Sequence, residues 1–271
     1  MRVEVLSTTP GLNVIVFLHG LPEIWYSWWH HMIGLAHSGF RAIVPDYSGY
    51  GLSEPPPNPT RPPTATSSVF LVGKDFGARP TYLFALAYPQ RVLGVITIGV
   101  PIKPPSPLKF DKNFPEAKAA FGCFDAETVV RNIYIFFSIS EIPIAAENQE
   151  IMDLVDPSTS IPPWFTEEDL AAYGALYEKS GFQTALQIPY RALREESSLT
   201  NLIVKALALY IMEGKDYVNK FLGINYYIDR RVKKFVPNLE IQYMSKGLQF
   251  VQEQSPDEVN QLIITFLGKH V

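Results

Sequence analysis

The chain has 271 residues, of which 47% are hydrophobic, 13% aromatic and 18% charged, and its net charge is −4. That balance excludes a disordered or fibrous chain and provides no field for gathering phosphate backbones, so no nucleic acid partner is expected. Cys123 is the only cysteine, which excludes an internal disulfide and a multi-cysteine zinc site. Met1 to Pro10 lacks the pattern of a signal peptide, no apolar run is long enough to span a membrane, and the chain does not end in Ser-Lys-Leu, so a cytoplasmic location is expected.

Val14 to Leu18 is a short β-branched and apolar run closed by His19-Gly20, the pattern of a buried strand that ends in a turn. Trp28 to His37 reads as a helix stopped by Gly39, and Arg41 to Val44, closed by Pro45-Asp46, as a second buried strand. Val69 to Val72 is a third strand, Arg79 to Tyr88 carries apolar residues at helical spacing, and Val92 to Val100 is a fourth strand ending at Pro101. From about Pro104 to Leu199 the pattern is helical, with Thr166 capping a helix that reaches Lys179 and Gly181 closing it. Ala206 to Met212 and Leu239 to Met244 return to strands, and Ser255-Pro256-Asp257-Glu258 reads as a capping box opening the last helix. Strands alternating with helices predict an α/β fold with a mostly parallel sheet and helices on both faces. The helical stretch divides it into a first core part at 1–103, an insertion at 104–200 and a second core part at 201–271.

Gly73-Lys74-Asp75-Phe76-Gly77 has the Gly-x-nucleophile-x-Gly form of a nucleophile elbow and lies between a predicted strand and a predicted helix. The spacing has a steric cause. The turn is so tight that the residues two before and two after the nucleophile must be small, while Asp75 is presented at the helix amino terminus. Alone the motif is weak, because an Asp beside a glycine turn is more often a helix cap. His19-Gly20-Leu21-Pro22 strengthens it, since this loop closes the first buried strand and can aim a backbone N–H at Asp75. No dinucleotide fingerprint, phosphate loop or metal-ligand cluster accompanies the motif, so no cofactor is expected.

HGLPEIWYSW from His19, PDYSGYGLS from Pro45, VGKDFGARP from Val72 and IGVP from Ile98 look like segments of the plant soluble epoxide hydrolases. So do the long segment from Glu141 to Phe182 and FVQEQSPDEVNQLIITFL from Phe250. The chain resembles that family over nearly its whole length. The resemblance implies an α/β-hydrolase fold, with the helical insertion as a cap over the active site and a small apolar epoxide as substrate. It also implies the chemistry: an Asp carboxylate opens the epoxide to an alkyl-enzyme ester, which a water activated by an acid-oriented His hydrolyses to a diol.

By motif position Asp75 matches the nucleophile, the N–H groups of Leu21 and Phe76 the oxyanion hole, and Asp216 the acid that orients the His. Tyr190 matches one of two cap tyrosines that hydrogen-bond the epoxide oxygen, and Glu23 a glutamate that helps hold the hydrolytic water. Each has an ordinary alternative: Asp216 as a structural strand-end residue, Tyr190 as a buried tyrosine, Glu23 as a first-turn acid favouring a helix dipole. His19 is read as a turn residue rather than a base.

The chain departs from the family in four places. In Gly247-Leu248-Gln249-Phe250-Val251, Gln249 stands where the family has its catalytic His. An amide can orient water but cannot take its proton near neutral pH. Asn113-Phe114-Pro115-Glu116 runs directly into Ala117, so the segment bearing the first cap tyrosine is absent. Pro55 to Pro63 is too proline-dense to form the family's crossover helix, which would leave part of one sheet face uncovered. The family's first edge strand is missing, which makes Val3 to Leu6 the expected outer strand. Two other readings therefore stay open: a haloalkane dehalogenase, which shares the Asp nucleophile, and a retired enzyme that binds a ligand or partner without catalysis.

Overall fold

Apolar alternation and turn residues produce the elements in the order expected. A computed structural model describes residues 3–6, 13–53, 68–102, 124–143, 146, 149, 151–182, 185, 199–221 and 223–269. The prolines at 55–63, the junction at 113–120 and Tyr190 lie outside the described residues.

Seven strands form one sheet: β1 (Val3–Leu6), β2 (Val14–Leu18), β3 (Arg41–Pro45), β4 (Val69–Lys74), β5 (Val92–Ile98), β6 (Leu207–Glu213) and β7 (Leu239–Met244). Their order across the sheet is β1-β3-β2-β4-β5-β6-β7. β1 runs antiparallel to β3 at the edge, as the expected outer strand, and the other six strands are parallel. From β2 the chain steps to β3 on one side and then to β4 on the other, so the strand order reverses at the carboxyl ends of β2 and β4. In open α/β sheets such a switch point leaves a crevice for a site.

Helices α1 (Trp29–His37) and α2 (Ala78–Ala87) follow β2 and β4. α1 buries Met32 and Leu35 beside Ile15, Phe17, Ala42 and Val44 of the sheet, and the last helix joins the same cluster through Val259, Ile263, Phe266 and Leu267. On the other face Tyr82 and Ala85 of α2 share a cluster with Leu71, Val95, Ala208 and Tyr210. Val14, Val16, Leu18 and Ile43 are only half-buried, whereas Ile15, Phe17, Ala42 and Val44 beside them are buried.

Within the insertion, Asp125 caps α3 (Ala126–Phe137) and Thr166 caps α4 (Glu167–Ser180). The Thr166 box is complete. Thr166 Oγ1 accepts from the Asp169 N–H at 3.1 Å, Asp169 Oδ2 accepts from the Thr166 N–H at 3.0 Å, and Gly181 closes the helix at φ 61°. Val129, Val130, Ile133 and Tyr134 of α3 and Leu170, Tyr173 and Tyr177 of α4 share a core with Ile24, Tyr50 and Phe250 from loops beyond the strand ends.

Four local features differ from the sequence reading. β4 continues to Lys74, so the strand runs directly into the elbow. β5 stops at Ile98 because Gly99, at φ 78°, turns the chain before Val100. The first helix is preceded by a separate 3-10 turn at Trp25–Trp28. The capping box at Ser255 is not formed: the Ser255 side chain makes no cap bond. The chain reaches Ser255 straight from α7 (Val251–Gln254), with the Ser255 N–H bonded to the Val251 carbonyl at 2.9 Å, and Pro256 in the first turn opens α8 (Pro256–Gly268). Two short helices after β6, α5 (Ile224–Arg230) and α6 (Val232–Phe235), carry no strong sequence signal and owe their place to Ile224, Ile228 and Val232 packing in the α2-side core.

Candidate active site

The chain leaves β4 through Asp75, whose φ of 49° lies in the left-handed region that a residue with a Cβ enters only under constraint. The flanking glycines supply the room. A Cβ on Gly73 would sit 2.5 Å from the Gly77 carbonyl oxygen and from Thr81 Oγ1, and one on Gly77 would overlap the Leu18 carbonyl. The end of β2 therefore packs against the elbow. Asp75 is 8% exposed, and its Oδ2 lies 3.5 Å from the Leu21 nitrogen, a long hydrogen bond across from the loop after β2. Burial pushes the Asp75 carboxyl up, while Lys74 and the N–H groups of Phe76 and Leu21 pull it back down.

The loop after β2 brings a second carboxylate to the same place. Glu23 is buried, its Oε2 accepting from the Gly20 N–H at 2.8 Å and its Oε1 from Gln252 Nε2 at 2.6 Å. A Cβ on Gly20 would collide with both the Glu23 and Asp75 carboxylates, so that glycine is what lets them converge. Burial raises the Glu23 carboxyl to about 7, with Lys74 opposing and Asp75 adding to the rise. The Leu21–Pro22 peptide is cis. His19 is fully buried, with Nδ1 2.9 Å from the Gly20 carbonyl and its ring against Tyr47 and Tyr50. Burial lowers it to about 4, so its 3.5 Å approach to Asp46 is that of a neutral ring rather than an ion pair. It is a turn residue here.

Asp216 lies beyond β6 with Oδ1 accepting from the Val218 N–H at 2.9 Å, and Gln249 is buried beside it. The sense of the Gln249 amide follows from its neighbours. Its nitrogen donates to Asp216 Oδ2 at 2.9 Å and Oδ1 at 3.3 Å, while its oxygen accepts from Lys74 Nζ at 3.3 Å; the reverse would set oxygen against carboxylate. Asp75, Asp216, Gln249, Glu23 and the Leu21 N–H thus gather at the carboxyl ends of β2, β4, β6 and β7.

Several side chains in this region escape a motif-based reading. Lys74 is fully buried next to Asp75, and Glu213 is buried at the end of β6. Their signal was a charged residue closing an apolar strand. Glu253 accepts from Tyr134 at 2.7 Å and Tyr173 at 2.9 Å, linking α3 and α4 to the segment after Gln249. Tyr134 is stacked between Phe165 and Phe250, and Tyr177 donates to the Pro22 carbonyl at 2.7 Å. Nothing in local sequence pairs these residues, which lie up to 155 positions apart.

The α/β-hydrolase fold family matches residues 13–122. Epoxide hydrolase 2 of Siraitia grosvenorii is 30% identical, over 99% of this chain and 95% of its own length. The chain belongs to the epoxide hydrolase family. Epoxide hydrolase B of Mycobacterium tuberculosis is 26% identical over 98% of this chain and 95% of its own. Among solved structures, potato (Solanum tuberosum) epoxide hydrolase I superimposes with a TM-score of 0.84 at 26% identity, covering 98% of this chain and 95% of that one. In this epoxide hydrolase family member the Gln249 amide is bonded on both sides, to Asp216 and to Lys74. No helix among the described residues is long and apolar enough to cross a membrane.

Proposed function

We propose that the protein opens epoxides through an Asp75 alkyl-enzyme ester and hydrolyses that ester slowly. The observation that carries this reading is Asp75 in the left-handed region on a glycine-flanked elbow, facing the Leu21 N–H. An Asp75 oxygen attacks an epoxide carbon, the ring C–O bond breaks, and the ring oxygen takes a proton; Tyr190 on the cap is the donor implied by family position. Water then adds to the ester carbonyl, and the N–H groups of Leu21 and Phe76 stabilise the oxyanion before the diol leaves. Glu23 holds that water. Asp216 and Gln249 occupy the places of the acid and the base, and Gln249 has no proton-accepting nitrogen, so general-base assistance of about 10²–10⁴-fold is lost.

Intact-protein mass spectrometry after incubation with a styrene-type epoxide tests this. The expected result is an adduct of one substrate mass, absent in Asp75→Asn, that persists in the unmodified chain and turns over to diol in Gln249→His. Folded protein that binds epoxide or diol without an adduct, equally well in Asp75→Asn, would move the reading to a non-catalytic binding protein. Halide release from a haloalkane panel would move it to a dehalogenase.

A further inference from the structure

The acids of this site need a counter-charge, and the described residues hold one buried candidate. Lys74 is the only fully buried lysine or arginine among the described residues. Its Nζ lies 3.3 Å from the Gln249 amide oxygen. Nζ, Glu213 Oε1 and Asp216 Oδ2 also converge on one small space, lying 3.1, 3.1 and 3.4 Å from where a Cβ of Gly99 would stand. That convergence, together with a φ of 78°, accounts for a glycine at position 99. Neither carboxyl oxygen of Glu213 has a hydrogen-bond partner, although both are buried.

We propose that Lys74 is a positioning residue for Asp75: its buried ammonium supplies the positive charge that keeps the nucleophile's carboxylate anionic and fixes the Gln249 amide against Asp216. This rests on the reading of Asp75 as nucleophile. A buried ammonium ordinarily loses its proton to escape desolvation, but here Glu23, Glu213, Asp216 and Asp75 together outweigh burial and hold Lys74 above the ordinary lysine value. The cation is thus present throughout the neutral range. Among the described residues, the groups coupled to Asp75 besides Lys74 include Asp216, Glu23, Tyr47, Tyr50 and Tyr217. None of them is a cation, so without Lys74 a buried carboxyl beside Asp216 and Glu23 would keep its proton and could not attack. Burial raises the Glu213 carboxyl well above the carboxylate range, with Lys74 opposing the rise.

The test is a carbon NMR titration of protein labelled at the Asp side-chain carboxyl, with the Asp75 resonance assigned by its loss in Asp75→Asn. The unmodified chain is expected to show Asp75 ionised at pH 7. Lys74→Gln keeps a hydrogen-bond donor but removes the charge, and should raise the Asp75 midpoint by one pH unit or more, while Lys74→Arg should restore most of it. A structural role alone would leave that midpoint in place. An Asp75 that stays protonated through pH 7 in the unmodified chain overturns the proposal without need of any variant, and so does an unmoved midpoint in folded Lys74→Gln. An ionised, Lys74-dependent Asp75 that forms no adduct with epoxide would instead sink the alkylation reading and leave this assignment standing.

Discussion

At the residue scale, the chemistry turns on which buried acids carry a proton. Glu23 is lifted from 4.5 to about 7, chiefly by burial. The folded protein therefore keeps a proton that the unfolded chain releases above pH 4.5, so this residue's contribution to stability is present below that point and lost as pH rises through about 7. The full loss is about 3 kcal/mol. Glu23→Gln cannot titrate and should remove that slope; urea unfolding of both proteins at pH 5 and pH 8 measures it, and equal slopes would mean Glu23 ionises freely. The same variant keeps its contact to the Gly20 N–H through the amide oxygen, so the loop and Asp75 adduct formation should survive it. His31 behaves oppositely to Glu23. Its ring nitrogens meet the Asn260 side chain at 2.6 Å and the Gln252 carbonyl at 3.0 Å, and burial lowers it to about 4, so it stabilises the fold fully above its ordinary 6.5 and less as pH falls toward 4.

At the element scale, the elbow and the α4 cap were both readable because each depends on neighbours within a few residues. Gly73 and Gly77 are required by contacts inside a strand-turn-helix, and Thr166 with Asp169 closes four residues of backbone. The Ser255 box had the same letters but a different approach to the helix, which a pattern of residue types does not contain. Thr166→Ala should cost about 1 kcal/mol, measured by urea unfolding. The α4 helix also meets the loop after β2 through Tyr177 and the segment after Gln249 through Tyr173. The loss should therefore appear in the stability of the whole chain and not as local fraying; a change below about 0.3 kcal/mol would show that tertiary contacts, not the cap, hold the helix end.

At the scale of the whole molecule, burial has collected more acids than bases. Glu23, Asp75, Asp216, Glu213 and Glu253 all have carboxyls raised by burial, whereas the buried histidines His19 and His31 are both lowered to about 4. Above about pH 7.5, a unit beyond their ordinary value, the histidines are neutral in both folded and unfolded chains and contribute no slope, so the acids alone decide and stability should fall as pH rises. At lower pH the two histidines oppose them. Thermal melts from pH 5 to 8.5 should therefore peak on the acid side of neutrality, and a melting temperature that climbs steadily to pH 8.5 would contradict this account.

The sequence by itself determined the parallel sheet, because runs such as Val14 to Leu18 and Val92 to Val100 combine the short length and β-branching of a strand in the middle of a sheet. It also determined the elbow, where the spacing of Gly73 and Gly77 around Asp75 is a steric requirement of one turn. It pointed to the individual acids Glu23 and Asp216 through resemblance of motifs. Only the tertiary structure decided what those acids face. Lys74, Glu213, Gln249 and Glu253 come from strands and loops far apart in the chain, and they share one buried region only once β4, β6 and the segment after β7 are folded together. Local patterning records which residues can form an element, while desolvation and Coulomb interaction depend on what the elements enclose.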